Sequence, residues 1–167
     1  MHDELTAVDI KKMEQEVEYR RLQLRPQLLE DVKTAREFGD LSENFEYKAA
    51  KREKNRNDSR IRYLERMIKT AKVIDAESKP DEIGLFDKVT IYIEEDDEEQ
   101  TIELVTTLRQ NALKGLISKE SPVGKAVLGH KVGDRVTVQV NENYSYDIVI
   151  RAVEKGQDDA SLPISSY

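Results

Sequence analysis

Ala35-Arg36-Glu37-Phe38-Gly39-Asp40-Leu41-Ser42-Glu43-Asn44-Phe45-Glu46-Tyr47 lies where two long helical patterns meet. On its N-terminal side, Ile10, Met13, Val17, Leu24, Leu28, Val32 and Ala35 recur at steps of three, four or seven, which is one apolar stripe of a helix. On its C-terminal side a second stripe runs through Tyr47, Ala50, Ile61, Leu64, Ile68 and Ala71. Gly39 stands where a helix C-terminus favours glycine. Two stripes joined by so short a turn predict an antiparallel coiled-coil hairpin, with arms of about 30 residues and roughly 45 Å. Charge agrees: residues 1–43 are net acidic, whereas residues 44–72 carry ten basic and four acidic side chains, so the arms attract and one flank stays basic. Two features resist. Pro26 falls inside the first helix, where it removes a hydrogen bond and kinks the chain. Lys51 to Arg60 holds no apolar residue, so the half of the hairpin nearer the turn is expected to pack weakly.

From about residue 80 the period changes to two. Lys88–Ile93, Thr101–Val105, Arg135–Val140 and Tyr146–Ile150 read as strands, and the acidic run Glu94–Glu99 as a solvated hairpin turn. Ser121-Pro122 introduces a short helix over Val123–Leu128. The fold class expected is α+β: a helical hairpin over 1–78, a small β-rich domain over 79–155 joined at Lys79-Pro80-Asp81, and a mobile tail over 156–167.

Composition excludes several functions. There is no Cys and there are two His, so neither a disulfide nor a Cys/His zinc site can form. Aromatic residues make up 6% with no Trp, which disfavours a large aromatic-lined pocket. A net charge of −7 argues against free nucleic-acid binding by the whole chain. No secretory leader and no apolar run of about 20 residues is visible, so a soluble cytoplasmic protein without membrane association is expected. No Ser/His/Asp order, P-loop or dinucleotide fingerprint occurs, and His130, in Gly129-His130-Lys131, reads as a surface residue.

The chemistry concentrates at the turn. Asp40 and Glu43, three residues apart, can share one side of a helix start and offer oxygen ligands to Mg²⁺. Two ligands hold that ion weakly, so such a site makes sense if a partner completes it. The same Asp-x-x-Glu spacing is also a capping-box pattern, with Asp40 as N-cap and Glu43 at N3, and the two roles are compatible. Arg36, Lys48, Lys51, Arg52, Lys54 and Arg56 flank the turn and could contact RNA phosphates or form a solvated helix face.

The run Ala35 to Lys51, the pair Arg25-Pro26 and the run Ile117-Ser118-Lys119-Glu120-Ser121-Pro122-Val123-Gly124-Lys125-Ala126-Val127-Leu128-Gly129-His130-Lys131-Val132-Gly133-Asp134 resemble the bacterial transcript-cleavage factors GreA and GreB, over about residues 8–155. The resemblance implies a coiled coil that enters the secondary channel of RNA polymerase and an FKBP-like C-terminal domain that docks at the channel rim through residues such as Ser121 and Pro122. It implies that Asp40 and Glu43 help hold a Mg²⁺ shared with polymerase and position the water that cuts backtracked RNA. Arg36 and Lys51, flanked by Lys48 and Arg52, would steer the RNA 3′ end, with Gly39, Leu41, Ser42, Asn44 and Tyr47 supporting the tip. Such a protein is no nuclease by itself and is expected to act as a monomer on polymerase and its nascent transcript. Phe45 stands where the family commonly has a small residue, Thr107–Ala112 replaces a more acidic stretch, and the segment after Lys155 is longer than usual. A channel-occluding, anti-cleavage relative would share the shape with the opposite effect, although the acidic pair weighs against pure inhibition. A prolyl isomerase would need an aromatic-lined pocket, for which the C-terminal half offers only Phe86 and a few Tyr.

Overall fold

A computed structural model describes residues 3–39 and 44–165. The chain divides into two compact units, one of residues 10–71 and one of residues 1–9 with 72–167.

The first unit is the helical hairpin. Helix α1 (Ala7–Tyr19) runs through one π-helical turn (Arg20–Leu24) into α2 (Arg25–Arg36), and α3 (Phe45–Thr70) returns antiparallel to them. The π turn is the answer to Pro26. Proline brings no N–H and its ring crowds the carbonyl one turn earlier. The widened turn, in which the Arg25 N–H donates to the Arg20 carbonyl, opens the ladder just before that ring and lets the helix continue. Met13, Ala35, Ile61 and Leu64 of the two stripes are buried.

The region without apolar residues is closed by polar rungs instead. Asn57 is 2% exposed; its Oδ1 accepts from the Arg20 guanidinium (2.9 Å) and its Nδ2 donates to the Arg20 carbonyl (3.3 Å). Arg60 reaches across to Glu16 at 2.7 Å, and Arg25 to Asp58 at 3.0 Å. Arg21 pairs with Glu65. These rungs close the hairpin from Asn57 onward, whereas Lys51, Arg52, Glu53, Asn55 and Arg56, nearer the turn, are exposed.

The second unit is built on a five-stranded sheet of order β5-β4-β3-β7-β6, from β3 (Lys88–Ile93), β4 (Glu98–Val105), β5 (Leu116–Ser118), β6 (Arg135–Asn141) and β7 (Tyr144–Glu154). All neighbours are antiparallel except β4 and β5. Inward residues alternate along each strand: Val89 and Ile91, Ile102 and Leu104, Val136 and Val138, Ile148 and Ile150. Helix α4 (Pro122–Val127) covers this face with Val127. The acidic run turns over Glu94–Asp97, and β4 starts three residues earlier than its apolar alternation suggests because Glu98, Glu99 and Gln100 pair with β3 while exposed. Strand β5 was not anticipated; three residues are too few to show a period.

The N-terminal segment belongs to this unit. Strand β1 (Glu4–Leu5) pairs in parallel with β2 (Lys72–Val73), and Leu5 is fully buried. Residues 156–165 make contacts within the unit. The Gly156 N–H donates to Asp87 Oδ1 (2.9 Å), Leu162 packs beside Leu85, Phe86, Val105 and Leu116, and the Ser165 N–H donates to the Leu108 carbonyl (2.6 Å). Among the described residues no helix is long and apolar enough to cross a membrane.

Candidate nucleic-acid interface at the hairpin turn

Helix α3 has Asn44 as its N-cap. Asn44 Oδ1 accepts from the Tyr47 N–H, the third amide of the helix, at 3.0 Å. Its Nδ2 donates to the Ala35 carbonyl near the end of α2 (2.6 Å), so one side chain ties the two helix ends together. The capping alternative for the acidic pair is corrected here: the cap is Asn44 and the N3 residue is Tyr47, not Asp40 and Glu43. A reciprocal capping pair does form at α1, where the Asp9 N–H donates to Thr6 Oγ1 (3.3 Å) and the Thr6 N–H to Asp9 Oδ2 (3.0 Å). Asp40, Leu41, Ser42 and Glu43 themselves lie outside the described residues. Before them, Gly39 holds φ at +127°, a backbone region that L side chains rarely adopt.

Arg36 folds over Tyr47: its Nη2 donates to the phenolic oxygen at 3.3 Å and its guanidinium carbon lies 5.4 Å from the ring centroid. That hydrogen bond, with the nearby Lys51 and Arg36 charges, holds the Tyr47 hydroxyl below the ordinary phenol range. Lys48, Lys51, Arg52 and Arg56 follow at helical spacing and, with Asn55 and Ser59, line one open groove. Arg56 pairs with Glu53 at 3.2 Å, whereas among the described residues neither Lys51 nor Arg52 is in an ion pair. The structure therefore brings Lys48, Lys51 and Arg52 to one face, with Arg36 across the turn beside Tyr47. Cations held apart from carboxylates in this way suit a run of phosphates.

At the residues expected to dock polymerase, the Ser121 hydroxyl is engaged within the fold. It accepts from the Gly124 N–H (3.1 Å) as N-cap of α4 and donates to the Ser118 carbonyl (2.6 Å). Pro122 is exposed at the first turn. A Cβ at Gly124 would fall 2.2 Å from the Ser118 carbonyl oxygen, so only glycine permits this approach.

Comparison with known proteins shows the family. A family model described as "Transcription elongation factor, N-terminal" matches residues 4–73, and one described as "Transcription elongation factor, GreA/GreB, C-term" matches residues 77–155. The chain belongs to the GreA/GreB family of transcription elongation factors. It is 45% identical over 137 residues to transcription elongation factor GreA of Thermoanaerobacter pseudethanolicus, covering 81% of this chain and 87% of that one. To GreA of Streptococcus gordonii it is 39% identical over 152 residues, 90% and 94% of the two chains. A solved structure of the transcription factor Gfh1 aligns at a TM-score of 0.45 with 26% identity, covering 92% of this chain and 97% of that one.

Within this GreA/GreB chain, sequence reasoning missed the buried cluster around Arg109. Arg109 and Asp9 have fully buried side chains and meet at 2.5 Å. Arg109 Nη1 also reaches Asp158 at 2.5 Å, its Nη2 donates to Thr6 Oγ1 at 3.2 Å, and its guanidinium carbon lies 4.9 Å from the Phe86 ring centroid. Thr106 Oγ1 donates to Asp9 Oδ2 at 2.8 Å. The only trace in the sequence is that Arg109 interrupts an otherwise uncharged run, Val105–Asn111.

Proposed function

We propose that this chain is a transcript-cleavage factor: its hairpin enters the secondary channel of bacterial RNA polymerase and presents Asp40 and Glu43 to the active centre, so that backtracked RNA is cut and elongation resumes. The observation that carries this reading is the Asn44 cap. Because Asn44 satisfies the N3 amide, the cap of α3 needs neither carboxylate, and two carboxylates that shortly precede a basic helix face in the sequence suit work on a phosphodiester.

Asp40 and Glu43 are hard oxygen donors of the type Mg²⁺ takes, but they supply only part of its octahedral shell, so polymerase and water would complete it. When bound, the ion supplies an oriented, acidified water for attack on the RNA phosphate. Among the described residues no group of three or more His, Cys, Asp or Glu is placed to hold a metal. The chain's own part is binding and orientation: Lys48, Lys51 and Arg52 hold the displaced RNA strand, Arg36 braces Tyr47, and Asn44 fixes the start of α3. The hairpin packs on itself and acts as a monomer, and the protein alone cuts no RNA.

The test is cleavage of nascent RNA in a stalled, backtracked elongation complex with Mg²⁺. Wild type should speed release of a short 3′ fragment. Asp40→Asn and Glu43→Gln should each lose that stimulation by about a hundredfold or more, the scale of removing a positioned catalytic group, while still binding polymerase. Slower cleavage despite tight binding would instead mark a channel-occluding factor.

A further inference from the structure

Two of the three phenylalanines bracket the acidic pair in sequence: Phe38 stands two residues before Asp40, and Phe45 two residues after Glu43. The third, Phe86, is 1% exposed in the core of the other unit. Phe45 is 81% exposed and Phe38 71%. Single exposed apolar residues are ordinary and need no explanation. The surroundings of Phe45 set it apart. It is the first residue of α3, directly after the Asn44 cap, so its ring stands on a fixed helix start. The Lys48 ammonium lies 5.8 Å from its ring centroid, and Lys51 and Arg52 follow on the next turn.

A phenyl ring open to solvent among cations is the composition of a single-stranded nucleic-acid site, in which charges track the phosphates and an aromatic face receives a base. A protein partner is a poorer match, because apolar interface cores are depleted of lysine and this ring has the Lys48 ammonium against it. We propose that Phe45 is a stacking platform for the unpaired base at the 3′ end of backtracked RNA, with Lys48 and Lys51 on the adjoining phosphates. This rests on the cleavage reading above and adds to it a contact with the base itself. Purines, with the larger π surface, stack better than pyrimidines. The factor therefore binds more tightly to complexes whose extruded transcript end is a purine.

The experiment uses the full-length protein and backtracked elongation complexes whose RNA ends in adenosine or in an abasic ribose. Affinity is measured first, with Ca²⁺ in place of Mg²⁺ to hold cleavage off. Wild type should bind the adenosine complex roughly 5- to 100-fold more tightly than the abasic one, the range seen for base–aromatic stacking. Phe45→Ala should bind both complexes at the abasic level, and Phe45→Trp should keep the preference. With its side chain in solvent, Phe45 can be replaced without disturbing the fold, and far-ultraviolet circular dichroism checks this. Equal wild-type affinity for the two complexes would overturn the proposal. So would an equal loss on both in Phe45→Ala, which would assign the ring to a polymerase surface. Cleavage in Mg²⁺ is then read separately. A base preference without stimulated cleavage sinks the cleavage reading and keeps the stack; stimulated cleavage without a base preference does the reverse.

Discussion

At the scale of single residues, Asn44 has the greatest leverage on the hairpin turn. Its amide serves two helices at once, accepting at the start of α3 and donating to the Ala35 carbonyl near the end of α2. Asn44→Ala should therefore lower stability by about 1–2 kcal/mol, the usual value of an N-cap plus part of a second hydrogen bond. Asn44→Asp should fall between, because a carboxylate still caps but cannot donate to a carbonyl. Urea unfolding followed by circular dichroism measures both. The sequence alone could not single out Asn44. Asp40, Ser42 and Asn44 are all good cap residues within five positions, and only the helical register picks one. By spacing alone, Asp40 and Glu43 read more readily as a cap than as a metal-binding pair. Placing the cap at Asn44 removes one of those readings.

Among the elements, the hairpin shows how far periodicity reaches. Both apolar stripes were legible because burial recurs at helical spacing, and the π turn was foreshadowed by Pro26. The polar rungs were not legible, since Glu16, Asn57 and Arg60 belong to types usually solvated, and which of them meet depends on the register across the turn. These rungs make the hairpin sensitive to acid. Burial alone would raise the Glu16 carboxyl, but hydrogen bonds from Arg60 and Arg20 outweigh it and hold the group below its ordinary value of 4.5. Asp58 behaves likewise: burial raises it, and hydrogen bonds from Lys54 and Arg25 bring it below 3.8. A carboxylate depressed in the folded state contributes stability that is complete above its unfolded value and disappears as pH falls through the folded one. Thermal unfolding of wild type should thus drop steeply below about pH 4.5. Glu16→Gln should start lower at pH 7 and fall less steeply; parallel profiles would exclude Glu16 as a source of the acid sensitivity.

Over the whole molecule, the decisive feature is that the second unit is assembled from separated pieces of chain. Arg109 gathers them, holding Asp9 from the N-terminal segment and Asp158 from the C-terminal one in a buried cluster. Arg109→Met leaves Asp9 buried without its partner and should destabilise this unit by about 3–5 kcal/mol. The double variant Asp9→Leu with Arg109→Met should recover part of that loss, because the fully buried carboxylate is then gone and only Asp158, 17% exposed, loses its partner. Tyrosine fluorescence during denaturant unfolding reports it, since the chain has no Trp. The strands of the five-stranded sheet were legible from their alternation, apart from the three-residue β5, whereas the two-residue β1 and β2 were not. The membership of residues 3–9 was not, because two strand residues and one helix turn carry no period, and their partners lie far along the chain.

The ion pair of Asp9 with Arg109 also sets an order of events during synthesis. Asp9 leaves the ribosome early, while the arginine that neutralises it and the Asp158 segment follow only after the helical hairpin and most of the sheet have emerged. The hairpin can close on itself as soon as α3 is complete. The sheet unit must wait for Arg109 and the Asp158 segment before Asp9 has a place to go. Until then the nascent chain carries a finished hairpin and an unfinished sheet unit, and a ribosome stalled before Asp158 would hold just that intermediate.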